Sequence, residues 1–213
     1  MTTATERNYL PAASHDWALP LYDPLVRLLG GDATRQVLLE QAALQPGHRV
    51  LDIGCGTGTL LVLLKQLYPA VEACGLDPDP KALARAARKA ERAGVPVALD
   101  RGFSEELPYP NASFDRVLSS FMFHHLAQGT RLPTLKEILR VLRPGGSFHM
   151  VDFAGRDRDG AGRVLHSSPR LADNSTNRVL LLMAQSGLRQ PVKVGEGAML
   201  FGLLRVNYYR AGA

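Results

Sequence analysis

Arg49-Val50-Leu51-Asp52-Ile53-Gly54-Cys55-Gly56-Thr57-Gly58 is the stretch that decides the fold. A short apolar run, Arg49 to Ile53, reads as a buried strand, and the apolar Leu60–Leu64 region beyond it reads as a helix. Three glycines at alternate positions separate them. Without Cβ atoms the backbone can bend sharply there and lie directly against a ligand. Parallel α/β sheets bind ligands at the carboxyl ends of their strands, so this turn is the expected binding point.

Outward from the turn the pattern repeats. A helix is expected from about Thr57 to Tyr68, then a strand over Val71–Leu76 and a helix over Asp79–Ala93 stopped by Gly94. Strands follow at Val95 to about Leu99 and at Phe114–Ser119, then a helix over about Leu132–Leu142 and a strand over Ser147–Phe153. Alternation of this kind specifies a mostly parallel sheet with helices on both faces. The remainder differs: a loop-like segment over 155–173, a helix over about Ser175–Ser186, and two strand-like runs, Val192–Met199 and Leu203–Tyr209, around Phe201-Gly202. A terminal hairpin would set an antiparallel strand on the parallel sheet. Before the first strand, Tyr22–Leu44 reads as one or two short helices. One domain spanning 1–213 is expected, with a helical cap (1–47), a ligand-binding core (48–153) and a substrate segment with last helix and hairpin (154–213).

Bulk properties narrow the class. Hydrophobic residues make up 46% and charged residues 21%, an ordinary globular balance. No window approaches the roughly 20 apolar residues of a membrane helix, and Met1–Trp17 lacks a signal-peptide layout, so a cytoplasmic protein is expected. The net charge of +5 comes from 20 Arg and 5 Lys that are dispersed. The densest group, Lys81, Arg85, Arg88, Lys89 and Arg92, recurs at helical spacing, so it reads as a solvated helix face and not a nucleic-acid surface. Cys55 and Cys74 lack CxxC spacing and read as small buried hydrophobes; no metal site is expected.

The glycine spacing separates ligand classes. A dinucleotide fingerprint would place Gly or Ala at position 59, where this chain has Thr59, and no Tyr-x-x-x-Lys pair supports a nicotinamide-dependent oxidoreductase. A P-loop is excluded because no Gly-Lys-Ser/Thr is present. What remains is an acid, Asp52, two residues before the first glycine, suited to a ligand with a cationic amino-acid end. A second acid, Asp77, falls 25 residues after Asp52 at the end of the second strand, where an acid can accept hydrogen bonds from ribose hydroxyls. Asp79 is the expected cap of the next helix.

Five segments resemble class I S-adenosylmethionine-dependent methyltransferases, specifically the group of ubiquinone and menaquinone biosynthesis methyltransferases. They are VLDIGCGTG (50–58), GLDPDP (75–80), EELPYPNASFDRV (105–117), SSFMFHHL (119–126) and LRVLRPGGSFHMVDF (139–153). The resemblance implies a Rossmann-like, doubly wound, seven-stranded sheet of order 3-2-1-4-5-7-6, with the last strand antiparallel. It implies S-adenosyl-L-methionine as cofactor and a small-molecule methyl acceptor, and leaves the oligomeric state open. Gly54, Cys55, Gly56 and Gly58 would line the methionine end, Asp52 would hold its amino group, Asp77 would take the ribose hydroxyls, and Pro78 would pack near the adenine. Where the family has an acid for the adenine amino group, this chain reads Gly102-Phe103-Ser104, so Phe103 or Ser104 is expected in that role. That departure keeps a non-catalytic cofactor-binding protein as the alternative. Ser119, Ser120 and Phe121 would border the transferring methyl, and Tyr22 resembles a tyrosine that closes over the cofactor.

For a catalytic base the candidates are Asp152, His125 and His166. His124 and His125 are expected to diverge by about 100° on a helix, too far to share an ion, and are read as structural or pocket-lining. His149 is read as a core or sheet-surface residue. The long Tyr- and Pro-rich insertion of the quinone enzymes is absent, so a small organic molecule other than a quinone is the expected acceptor. Arg156, Arg158, Arg163 and Arg170 lie in the segment after the fifth strand, which is expected to form a lid over the acceptor.

Overall fold

The computed structural model describes residues 30–155, 174–200 and 202–213. Seven strands form one sheet: β1 (Arg49–Ile53), β2 (Glu72–Asp77), β3 (Ala98–Arg101), β4 (Phe114–Ser120), β5 (Leu142–Phe153), β6 (Arg189–Met199) and β7 (Leu204–Gly212). Their order is β3-β2-β1-β4-β5-β7-β6. Strands β1 to β5 pair in parallel, and β7 runs antiparallel to both β5 and β6. The Rossmann-like sheet and the terminal hairpin expected from the sequence are both present.

The helices are α1 (Gly31–Gln41), α2 (Thr59–Leu67), α3 (Pro80–Ala93), α4 (Gln128–Val141) and α5 (Thr176–Gln185). Two apolar layers show how they cover the sheet. Leu38 and Leu39 of α1 and Leu60, Leu61 and Leu64 of α2 pack with Val50, Leu118, Val151 and Val206 on one face. Leu135, Ile138 and Val141 of α4 and Val179 and Met183 of α5 pack with Leu51, Val117, Phe148 and Met150 on the other. Neighbours in sequence on β1, β4 and β5 thus go to opposite layers, the burial on both faces that parallel strands require.

Several boundaries move for local reasons. The third strand begins at Ala98 and not Val95, because Val95 N–H bonds the Ala90 carbonyl and finishes α3, and Pro96 has no N–H to offer a ladder. Helix α4 starts at Gln128, a turn before Leu132, with Pro133 inside it. Arg131 supplies the reason: it is fully buried, its guanidinium 5.2 Å from the Phe123 ring centroid. The basic face of α3 is mostly exposed as expected, but Lys89 turns inward to donate to Thr57 and Thr59 at 3.1 and 2.6 Å. No helix among the described residues is long and apolar enough to cross a membrane. Tyr22, His166 and the arginines of the expected lid lie outside the described residues.

Candidate active site

The chain runs outward from β1 through β2 to β3, then returns to β4 on the other side of β1. The order therefore reverses between β1 and β4, and the crevice beyond their carboxyl ends is where open α/β sheets bind ligands. The Gly54–Gly58 turn stands at that point. Gly54 and Cys55 N–H both donate to the Leu76 carbonyl, at 2.8 and 3.1 Å, which ties the turn to the end of β2.

The three glycines have positive φ, 68°, 53° and 76°, a region side chains other than glycine rarely adopt. Their surroundings differ. A Cβ on Gly54 would fall 2.2 Å from Met122 Cγ, and one on Gly58 would fall 2.8 Å from Ala86 Cβ of α3. At Gly56 a Cβ would meet nothing within 4 Å. Gly54 and Gly58 are thus required by packing, and Gly56 alone opens onto free space. The Cys55 thiol turns into the core against Gly75, where burial first, then Asp52 and Asp77, push it up. Its main chain is the part left on the turn.

Two acids back the turn. Asp77 accepts from Gly56 N–H at 2.8 Å through one oxygen and from Asp79 N–H at 2.9 Å through the other. Burial raises its pKa against the lowering effect of these bonds. Asp79 caps α3, accepting from Lys81 N–H at 2.8 Å, as expected. Asp52 is different. It is 1% exposed, and neither carboxylate oxygen has a hydrogen-bond partner. Burial, offset in part by Arg35 and reinforced by Asp77, pushes it up to about 8. An isolated buried carboxyl of this kind favours its neutral form until a cation arrives. An amino-acid ammonium entering beside Gly56 would supply that cation, so the residues present fit the methionine end of S-adenosylmethionine.

Arg35 is a site residue that sequence reasoning missed. It is buried with its guanidinium 5.6 Å from the Phe121 ring centroid. Thr34, Arg35, Leu38 and Leu39 form the buried stripe of α1; a charge on an apolar stripe was the available signal.

At the end of β4, Ser119 is fully buried with its hydroxyl unpartnered, and Phe121 holds a left-handed φ of 57°. The chain then turns through Phe123–His125, a short 3-10 turn. His124 Nδ1 lies 2.6 Å from Asp152 Oδ1, while His124 N–H donates to Asp152 Oδ2 at 2.9 Å. Phe153 N–H donates to Oδ1 at 2.7 Å. With both oxygens engaged and no exposure, Asp152 is built to hold His124. The divergence expected for the histidine pair does not occur, because the tight turn stacks the two rings with centroids 4.1 Å apart. His149 is buried in β5, as read from the sequence.

Beyond β3, Phe103 is half-buried and bridges to Glu106. The Ser104 hydroxyl lies 2.9 Å from that of Thr134. The loop they occupy is pinned by α4: Glu137 accepts from Leu107 N–H at 2.8 Å, and Arg140 donates to the Leu107 and Tyr109 carbonyls at 2.9 and 2.7 Å. Pro78 is half-buried beside Asp77, its carbonyl accepting from Arg101.

A doubly wound sheet of this order, with an acid-backed glycine turn at its switch point, is the arrangement that the resemblance to class I S-adenosylmethionine-dependent methyltransferases implies. Comparison with known proteins agrees. The family described as "Methyltransferase domain" matches residues 50–146. A demethylmenaquinone methyltransferase of Thermus thermophilus is 36% identical over 148 residues, covering 68% of this chain and 66% of that protein. One of Deinococcus radiodurans is 38% identical over 137 residues, covering 63% and 56%. The matched stretch thus spans somewhat less than two thirds of either relative. The solved structure of a SAM-dependent methyltransferase from Aquifex aeolicus shares the fold, with a TM-score of 0.71 at 20% identity over 92% of this chain and 97% of that one. The chain is similar to class I methyltransferases of the ubiquinone/menaquinone type, and the cofactor of that family is S-adenosyl-L-methionine.

Proposed function

We propose that this protein transfers the methyl group of S-adenosylmethionine to a small organic acceptor by in-line displacement, with His124 as the proton acceptor. The observation that carries the cofactor assignment is Asp52, a fully buried carboxyl without a partner beside an open glycine. Asp52 binds the amino group, Gly56 leaves room for the methionine chain, and Cys55 and Gly58 contribute main chain. Asp77 keeps lone pairs beyond its two main-chain bonds, since an ionised carboxylate offers about four acceptor sites, and these take the ribose hydroxyls. Pro78, Phe103 and Ser104 surround the adenine, and Ser119 borders the sulfonium.

The cofactor supplies an already activated methyl. The work left to the chain is to align the acceptor, exclude water and take a proton where the acceptor has one to lose. A neutral His124 that donates Nδ1–H to Asp152 leaves Nε2 to accept that proton. Asp52, Gly56 and Asp77 would hold the cofactor so that its methyl is offered as an electrophile to the acceptor that the chain aligns. Asp152 stabilises the imidazolium that results, so it is a positioning residue. His125, whose ring packs against that of His124, is given no role in this scheme.

Two measurements test the proposal. Calorimetry should show one S-adenosylmethionine bound per chain and no comparable binding of NAD. A screen of hydroxylated and carbon-acid acceptors, read as S-adenosylhomocysteine formed, should find turnover that depends on His124. Binding of NAD in place of S-adenosylmethionine would overturn the cofactor assignment, and full turnover by His124→Asn would overturn the base.

A further inference from the structure

Away from the crevice, a second cavity of about 510 Å³ opens at the amino ends of β4 and β5. The strand register shows how it is made. Arg116 of β4, Ser147 of β5 and Gly212 of β7 lie in one row across the sheet, and Arg189 of β6 is the next residue along that row. The row above it runs Leu118, His149, Arg210 and Val192. On β6 a bulge between Arg189 and Val192 adds one residue, while on β4, β5 and β7 the two rows are two residues apart, so their side chains share one face. It is the face covered by α1, whose end at Gln41–Ala43 walls one side of the cavity. Because α1 stops there, the amino ends of β5 and β6 and the carboxyl end of β7 remain uncovered. From Arg116, partnered with Val50, to the level of Gly54 is four residues of strand, about 13 Å.

The chemistry of this cavity is one-sided. Arg116, Arg189, Arg210 and His149 line it, and no acidic side chain does. Arg116 is held in place by main-chain carbonyls, its Nε donating to Ala42 and its Nη1 to Asp115, each at 2.8 Å. The Asp115 carboxylate acts on Arg116 from nearby, but its hydrogen bonds go to Arg143 and to Arg49 N–H, from which it accepts at 2.7 and 2.8 Å. Arg189 donates to the Ala213 main-chain oxygen, which leaves further N–H donors on its guanidinium. Arg210 is exposed. His149 is 2% exposed; its Nε2 lies 2.9 Å from Ser147 Oγ, and its Nδ1 has no partner. Burial and then the flanking Arg116 and Arg210 hold its pKa down to about 3, so the ring is neutral near pH 7. If Ser147 donates to Nε2, the buried Nδ1 carries a hydrogen, a donor that lacks an acceptor. A buried donor left unpaired in this way is destabilising, and an incoming acceptor relieves it.

We infer that this cavity is a second ligand site, which binds a small phosphate-bearing anion between Arg116, Arg189 and Arg210. Guanidinium forks match phosphate oxygens in pairs, and the volume lies within the range of small-molecule pockets. The ligand adds negative charge between guanidiniums of which only Arg189 meets a carboxyl oxygen of the lining, that of Ala213. The site is separate from the methyl-transfer crevice and does not depend on the assignment made there.

Inorganic pyrophosphate is the probe, titrated calorimetrically into the whole chain at constant ionic strength, with citrate as the carboxylate comparison. The expected result is one pyrophosphate bound per chain, with citrate at least tenfold weaker. The double variant Arg189→Ala/Arg210→Ala should lose at least tenfold in affinity, and Arg210→Ala alone at least threefold. S-adenosylmethionine affinity and the thermal midpoint, measured on the same samples, should stay at the parent values. The inference is overturned if pyrophosphate does not bind, if it binds the double variant as it binds the parent, or if citrate binds equally well.

Discussion

Asp52 couples stability, pH and cofactor binding through one carboxyl. Its folded pKa of about 8 stands above the ordinary value of 3.8. The folded state therefore holds a proton that the unfolded chain has released, and stability present below pH 4 is lost as pH rises toward 8. Replacing the carboxyl with an amide removes that loss. Asp52→Asn is expected to melt higher than the parent at pH 7.5, by roughly 2–4 °C for each kcal/mol recovered, and to match it more closely at pH 5. The same variant should lose cofactor binding, since the amide offers no charge to the ammonium. In the parent, affinity should rise between pH 6 and 7.5, because binding needs the ionised carboxylate. Calorimetry across that range checks the sign; a flat profile would mean that the amino group is held elsewhere.

His124 and Asp152 give the second prediction at this scale. His124→Asn and Asp152→Asn should each lower kcat by about 10²–10⁴, the range for a positioned base, while the dissociation constant for S-adenosylmethionine stays put. His125→Asn should leave kcat within a few-fold. The base candidates named from sequence were Asp152, His125 and His166, and the proposed base, His124, is bonded to the first of them. The contact between His124 and Asp152 spans 28 residues of sequence, and no local pattern states which histidine of an adjacent pair faces a carboxylate from the next strand.

At the scale of elements, the two acids after β2 are separable. Asp79 caps α3, and its loss should cost about 1 kcal/mol with no change in cofactor affinity. Asp77 anchors Gly56 N–H and Asp79 N–H together. Asp77→Ala should therefore lower stability and also weaken S-adenosylmethionine binding by roughly 1.5–3 kcal/mol, as for hydrogen bonds to a charged group. Urea unfolding and calorimetry on the two variants distinguish them. Elements with strong punctuation were legible in advance: α3 lies between its Asp79 cap and the Gly94 stop, and β1 has the bounds read for it. Elements whose limits depend on a partner were not. The start of α4 depends on burying Arg131 against Phe123, and β6 extends back to Arg189 because that end pairs with Gly212 of β7.

For the whole molecule, a ligand that binds only the folded state stabilises it by mass action. S-adenosylhomocysteine at a hundred times its dissociation constant should add about 2.7 kcal/mol. In a chain of this size that is a rise of roughly 5–10 °C in melting temperature. Differential scanning fluorimetry with NAD in parallel is the check, and a shift with NAD alone would count against the assigned cofactor. What the amino-acid order determined by itself was local and periodic: a strand, an acid, a glycine turn and a helix, repeated with enough spacing to specify a doubly wound sheet and its binding end. Those features are legible because backbone geometry and hydrophobic period act over a few residues. Tertiary structure alone decided which of three glycines faces free space, that Arg35 stands near Asp52, that Asp152 holds His124, and that three arginines from β4, β6 and β7 line one cavity. Each of these is set by register between strands or packing between helices distant in the chain, and a one-residue slip would send the same side chains to the opposite face.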